Sequence, residues 1–169
     1  MKLRTVLLRV LLAVYGYVLV KIILFKGGPI DLMYLSRHLQ ASLQDPLRIV
    51  MNMKQGNLIP FHEIGRTLND PTNHGYVNLF GNIAIFAPFG LLQTLFESRR
   101  GIAALRVLRH SFFLSLFLEL LQAIFAMGTF DVDDILLNTC GGLAGLLGGL
   151  LYVKSDTIIE SPKSGRATD

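Results

Sequence analysis

Residues 130–153 read "FDVDDILLNTCGGLAGLLGGLLYV", and this stretch decides the fold class. The part from 135 to 153 contains no charged residue. As a helix it would be roughly 30 Å long, which matches a bilayer hydrocarbon core of about 30 Å. The stretch therefore predicts a transmembrane helix with three carboxylates at its entrance.

Three more blocks have a similar length and character: residues 5–25, 76–96 and 107–127. The chain of 169 residues is 51% hydrophobic and 17% charged, with a mean hydropathy of +0.49. We therefore expect an all-α membrane protein, a bundle of about four transmembrane helices with an extracytoplasmic loop that carries an interfacial helix. The predicted parts are a single membrane domain at 1–153, which includes the outer loop at 26–75, and a cytoplasmic polar tail at 154–169.

The first block has a competing interpretation as a cleaved signal peptide, because Lys2 and Arg4 precede its apolar run. That run is too long for the apolar region of a signal peptide, and Lys21 interrupts its end. No small-x-small cleavage site follows before residues 27–29, "GGP". We therefore predict that this block is a retained transmembrane helix.

The positive charges predict the orientation, because the cytoplasmic flanks of membrane spans carry an excess of Lys and Arg. The clusters lie near both termini and between the second and third blocks: Lys2, Arg4, Arg99, Arg100, Arg106, Lys154, Lys163 and Arg166. The connection at 128–134 has no Lys or Arg. Both termini are therefore expected in the cytoplasm and this connection outside. These flanks also account for the net charge of +4, and no nucleic-acid partner is indicated.

Within the outer loop, four leucines recur at helical spacing, and a proline follows them at position 46. These leucines are Leu32, Leu35, Leu39 and Leu43. They predict a helix that ends near Pro46. Two placements stay open for residues 30–55, either in the membrane interface or packed on the other spans.

The third block carries a polar stripe, because Ser111, Ser115, Glu119 and Gln122 fall on one helix face. A carboxylate well inside a span costs about 3 kcal/mol unless it is paired, hydrated or protonated. Glu119 is therefore the candidate for a functional, even catalytic, acid or base. The other polar residues of the stripe also suit hydrogen bonding between helices.

The predicted topology brings further polar residues to the same outer leaflet. Together they form the candidate binding site: Asn57, Asn78, Asn82, Glu119, Gln122, Asp131, Asp133, Asp134 and Asn138. Three roles are open for the aspartates of "FDVDD". Asp131 or Asp133 caps the fourth helix; the three aspartates hold a divalent cation; or the cluster recognises a polar headgroup or peptide group without chemistry.

Glycines at 141, 145 and 149 form a small-xxx-small ridge on the fourth block. In lipid such a ridge permits close approach of another helix. We therefore expect Gly141, Gly145 and Gly149 to serve helix packing, with a helix–helix partner as one use of the ridge. A phosphate-binding loop is not indicated, because no strand–loop–helix unit surrounds these glycines.

An ordered set of segments resembles the VanZ-like family: "NLIPF", "VNLFGNIAIFAPFGLL", "ELLQ" and "FDVDDILLNTCGGLAG". The resemblance runs from about Asn57 to Leu151. The family's motif positions would be Asn57, Pro60, Asn78, Asn82, Pro88, Gly90, Glu119, Gln122, Asp131, Asp133, Asp134, Asn138 and Gly141. Many relatives have an arginine at the position occupied here by Gly128, so an arginine–carboxylate pair is not carried over.

The resemblance implies a multi-pass protein of the bacterial cell membrane, of a family named for a teicoplanin-resistance protein. The expected function is a contribution to glycopeptide resistance or envelope homeostasis, with the lipid bilayer and a lipid-linked or cell-wall precursor as partners. The alternative is a membrane enzyme that acts on a lipid-linked phosphate or sugar, with Glu119 as acid or base and the aspartates holding a cation. A third interpretation is a small transporter or assembly partner.

Overall fold

The computed structural model describes residues 2–26, 28–96 and 100–159, and this part of the chain is helical. The helices are α1 (Lys2–Phe25), α2 (Leu32–Gln44), α3 (Leu47–Lys54), α4 (His62–Asn69), α5 (Asn73–Thr94), α6 (Arg100–Phe125) and α7 (Val132–Ile159). Four of them are long and apolar enough to cross a membrane: α1, α5, α6 and α7. The all-α fold and the four spans predicted from the sequence are therefore confirmed.

All four long helices start earlier than the predicted spans, α6 by seven residues at Arg100, and α7 also ends later. The helix α5 starts at Asn73, earlier than expected, because the Thr72 side chain accepts a hydrogen bond from the backbone N–H of Gly75 at 3.0 Å. The helix α7 continues to Ile159, so the first part of the predicted polar tail is helical. The rest of that tail, residues 160–169, lies outside the described residues.

The glycine ridge of α7 packs against α5. A Cβ atom on Gly141 would lie 2.3 Å from the carbonyl oxygen of Ile83, and one on Gly145 would lie 1.8 Å from that of Ala87. On α5, a Cβ atom on Gly90 would lie 1.9 Å from the carbonyl oxygen of Gly142. The two backbones approach so closely that only glycine fits at these positions. The ridge is therefore covered within the chain itself.

The helix α1 packs on the outside of this pair and is mostly exposed. Leu19 joins Phe86 of α5 and Leu118 of α6 in one buried cluster. Tyr15 donates a hydrogen bond of 2.6 Å to the carbonyl of Ile85, in the turn that precedes Pro88. This contact joins α1 to the α5 backbone close to Pro88.

The helices α2 and α3 pack across the end of α6. Ser42, Asn52 and Tyr34 donate hydrogen bonds of 2.7–2.9 Å to the carbonyls of Ile124, Ala123 and Ala126. These carbonyls have no partner further along the helix, which ends at Phe125.

The predicted helix ending near Pro46 is confirmed in α2, but its leucines do not all face the bundle. Leu32 and Leu43 are 74% and 72% exposed, and Leu39 is exposed as well. Tyr34 and Ser42 thus join α2 to the bundle, as one of the two placements expects, while the position of α2 in the membrane interface stays a prediction.

Candidate functional site

Glu119 supports the start of the aspartate segment, residues 131–134. The Glu119 side chain on α6 is 2% exposed, and its Oε2 atom accepts a hydrogen bond of 2.8 Å from the backbone N–H of Asp131. The carboxylate thus supports the turn between α6 and α7. This contact gives the buried acid predicted from the sequence a defined partner.

A short parallel bridge joins the outer loop to the same turn. The backbone N–H of Asn57 donates to the carbonyl of Phe130, and the N–H of Val132 donates to the carbonyl of Asn57, both at 2.9 Å. The Asn57 side chain also donates to Asp131 Oδ1 at 2.9 Å. Glycine is required at position 56, because a Cβ atom there would lie 1.9 Å from the carbonyl oxygen of Phe130.

Asp131 caps α7, one of the roles expected for this cluster. Its Oδ1 atom accepts a hydrogen bond of 2.8 Å from the backbone N–H of Asp133, two residues along. Burial raises the pKa of the Asp131 carboxyl above its ordinary value, and hydrogen bonds from Asn57 and from the Asp133 backbone partly offset this rise. The capping role is therefore confirmed for Asp131.

Asp133 caps a different helix from the one expected. Its carboxylate is completely buried and accepts hydrogen bonds from the backbone N–H groups of Phe61, Glu63 and Ile64 at 2.5, 2.8 and 3.1 Å. These groups lie at the start of α4, where Phe61 adopts a left-handed conformation with φ of 66°. A carboxylate at a helix N-terminus binds unpaired N–H groups and complements the helix dipole. Asp133 on α7 therefore fixes α4 on the bundle.

Asp134 forms a third arrangement with two asparagines of α5. Its Oδ1 atom accepts hydrogen bonds from the side-chain amides of Asn82 at 2.5 Å and Asn78 at 3.2 Å. The two asparagines are one helical turn apart, as the sequence predicts, and both face α7. Three of the sequence-predicted residues, Asn78, Asn82 and Asp134, are thus brought together in one hydrogen-bonded group.

The remaining polar residues of the predicted site lie between the helices. Asn138 donates a hydrogen bond of 2.8 Å to Ser115, and Gln122 donates one of 3.1 Å to the carbonyl of Ile23. Ser111 and Ser115 are completely buried. Asn138 and Ser115 therefore join α7 to α6, and Gln122 joins α6 to α1, as expected for polar residues between membrane helices.

An open cavity of about 980 Å³ lies between the ends of α1, α5 and α7 and residues 28–75, which we call the outer segment after its predicted side of the membrane. Six of the predicted site residues line it: Asn57, Asn78, Asn82, Gln122, Asp131 and Asp134. Glu119, Asp133 and Asn138 are not among the lining residues. The aspartate segment is thus one wall of the cavity, and Glu119 lies behind that wall.

The cavity also has charged residues that the sequence left without a role. Lys26, Lys54 and His74 are among them, as are His62, Glu63 and Arg66 of α4. Arg66 pairs with Glu63 at 2.5 Å, and His62 lies 3.4 Å from the same carboxylate. The sequence places α4 on the same side as the aspartates, but nothing in the spacing of Lys26 and Lys54 shows that they share a cavity.

The three aspartates do not converge on one point. Asp131 binds Asn57 and its own helix start, Asp133 binds α4, and Asp134 binds α5. Within residues 2–26, 28–96 and 100–159, no group of three His, Cys, Asp or Glu side chains is arranged to hold a metal ion. The arrangement instead offers hydrogen-bond acceptors and cations to a polar ligand.

These features define an all-helical membrane protein whose outer segment and helix ends enclose a polar cavity. A family model described as VanZ/LLP1 matches residues 12–153. The chain is also similar to Protein VanZ of Enterococcus faecium, with 33% identity over 143 residues, which is 83% of this chain and 72% of that protein. The chain therefore belongs to the VanZ/LLP1 family, as its motifs predicted. No solved structure matches it.

Proposed function

We propose that this protein is an envelope membrane protein that contributes to resistance to teicoplanin-type glycopeptides. The cavity is the main support for this proposal, because polar residues from α5, α7 and the outer loop line one open space. Membership of the VanZ/LLP1 family supports the link to glycopeptide resistance. In this function the cavity binds a lipid-linked or cell-wall precursor and changes its access to the antibiotic.

This function requires the cavity to face outward. The orientation is supported by the Lys and Arg residues near both termini and between the second and third spans, and by their absence from 128–134. The cavity is lined by residues at that end of the molecule, including Thr129 and Asp131. The cell membrane is the proposed location, with both termini in the cytoplasm.

The orientation can be tested by cysteine labelling in intact cells. In a Cys140→Ser background, Asp70→Cys at the end of α4 should react with a membrane-impermeant maleimide, and Ser164→Cys near the C-terminus should not. Both should react after the membrane is permeabilised. Labelling of Ser164→Cys alone in intact cells would place the cavity inside and contradict the proposed function.

The resistance itself is tested by expressing the full chain in a glycopeptide-susceptible bacterium. The inhibitory concentration of teicoplanin should rise relative to cells that carry the empty vector, while that of an antibiotic with a cytoplasmic target should stay unchanged. An unchanged teicoplanin value, with membrane insertion confirmed by immunoblot, would contradict a role in resistance.

A further inference from the structure

The cavity is lined by two cations that no carboxylate in the described part of the chain pairs with. Glu63 is paired with Arg66 and lies beside His62, whereas Asp131 and Asp134 accept hydrogen bonds from neutral asparagine amides. The two cations are Lys26 and Lys54, and neither forms an ion pair with any residue that the structure describes. Two cations therefore remain available to an anionic group inside the cavity.

The same cavity continues along the sides of two membrane spans. Its lining includes Ile22 and Ile23 of α1 and Ile85 of α5. Ile22 lies in the last turn of α1, just before Lys26, which follows the end of that helix. Ile85 lies roughly 10 Å along α5 from Asn78, since each helical residue rises about 1.5 Å. The polar part of the cavity thus opens onto an apolar surface at the level of the lipid chains. A soluble ligand would leave that surface unused.

The cavity also presents hydrogen-bond acceptors. Asp131 and Asp134 line the cavity with carboxylates, and Asn78 and Asn82 fix Asp134. Carboxylates accept hydrogen bonds from hydroxyl or ammonium groups. A ligand that binds both the lysines and the carboxylates therefore carries an anion together with a group that donates hydrogen bonds.

We propose that the cavity binds a membrane amphiphile whose phosphate lies between Lys26 and Lys54, whose hydroxyl- or ammonium-bearing headgroup reaches Asp134, and whose chains lie against Ile22 and Ile85. Lysine binds phosphate as a compact point charge. This inference rests on the cavity of the proposed function and names the class of ligand that it takes.

The test measures binding to the full chain in an uncharged maltoside detergent by native mass spectrometry. The probe is dihexanoyl phosphatidylglycerol, which has a phosphate, two hydroxyls and short chains. The wild-type protein should bind it, and the variant Lys26→Gln/Lys54→Gln should bind it about 25-fold more weakly, since each lysine beside an anionic headgroup contributes roughly fivefold. The matched control is Arg48→Gln, an exposed cation of α3 that does not line the cavity, and its affinity should equal that of the wild type.

Further probes distinguish the sources of phosphate. Glycerol 3-phosphate and inorganic phosphate should bind much more weakly than the lipid, and the uncharged dihexanoyl glycerol should not bind measurably. Equal affinity for inorganic phosphate and the lipid would overturn the amphiphile assignment. Unchanged binding in the double lysine variant, or an equal loss in Arg48→Gln, would overturn the site.

The proposed contact between the lipid headgroup and Asp134 is tested separately. Asp134→Ala should weaken dihexanoyl phosphatidylglycerol about fivefold but leave dihexanoyl phosphatidic acid, which lacks the glycerol hydroxyls, unchanged. An equal effect on both lipids would overturn this assignment. Circular dichroism confirms that each variant is helical. Because no antibiotic is present, binding without resistance would contradict only the proposed function, and resistance without binding would contradict only this inference.

Discussion

The carboxylate of Asp133 lies on α7 but binds the backbone of α4, so a single side chain joins a membrane span to the outer segment. Its three acceptor contacts replace the hydrogen bonds that the first N–H groups of a helix otherwise lack. Asn57 makes the second connection, to Asp131 and Phe130. The outer wall of the cavity therefore depends on two neighbouring aspartates.

Asp133→Ala should detach α4 from the bundle. The substitution leaves three N–H groups without their charged acceptor, and we expect a loss of about 3 kcal/mol in the stability of the outer segment. Limited proteolysis of the detergent-solubilised protein should then cut within residues 55–70 much faster. The control is Asp70→Ala, an exposed acid at the other end of α4. Equal cleavage rates in wild type and Asp133→Ala would contradict the anchoring role.

The substitutions Glu119→Gln and Glu119→Leu separate a positioning role from an acid or base role. Glutamine retains an oxygen that can accept the hydrogen bond from the Asp131 backbone, whereas leucine removes it. Glu119→Gln should therefore keep most of the thermal stability and the resistance, and Glu119→Leu should lose both. Loss of resistance in Glu119→Gln, with its melting temperature unchanged, would instead indicate that the carboxyl group takes part in chemistry.

Among the helices, α5 and α7 form the closest pair, and their contact depends on which glycines face each other. Position 145 has no space for a side chain, because a Cβ atom there would lie 1.8 Å from the Ala87 carbonyl oxygen. Position 148 has more space, and a Cβ atom there would come within 4 Å only of the end of the Leu91 side chain, at 3.8 Å. The two positions belong to one helix and one residue type, yet they differ in environment.

Gly145→Ala should therefore destabilise the bundle by about 2 kcal/mol, since the α5 backbone must move away. Gly148→Ala should be neutral or slightly stabilising, because alanine is the better helix former. Thermal unfolding of the two variants in the same detergent measures the difference. Equal melting temperatures would show that α5 and α7 do not approach as closely as described.

The long helices follow from the sequence because length and hydropathy alone define a membrane span. The spacing of Asn78 and Asn82 also places both on one face, where they meet Asp134. The partner of Asp133 could not be predicted in the same way. Its contacts with Phe61 and Ile64 depend on the path of the outer loop, and no local spacing records that path.

In the whole molecule, one cavity lies between the ends of the spans and the outer segment. The helices α2 and α3 pack on the end of α6, and α4 is fixed to α7. Glu119, the sharpest signal in the sequence, supports the cavity wall from behind. Lys26 and Lys54, which gave no signal in the sequence, also line the cavity. Sequence periodicity identifies the face of a helix, but it does not show which faces enclose a space.

If this cavity is the working site of the protein, a change in its lining alone should abolish resistance. Teicoplanin susceptibility is compared in cells that express wild type, Asn82→Leu or Asp70→Ala at equal membrane levels. Asn82→Leu fills the wall beside Asp134 with an apolar side chain and removes a hydrogen bond of 2.5 Å. We predict that it returns susceptibility to that of the empty vector, while Asp70→Ala resists like wild type. Full resistance in Asn82→Leu would show that the cavity is not the working site.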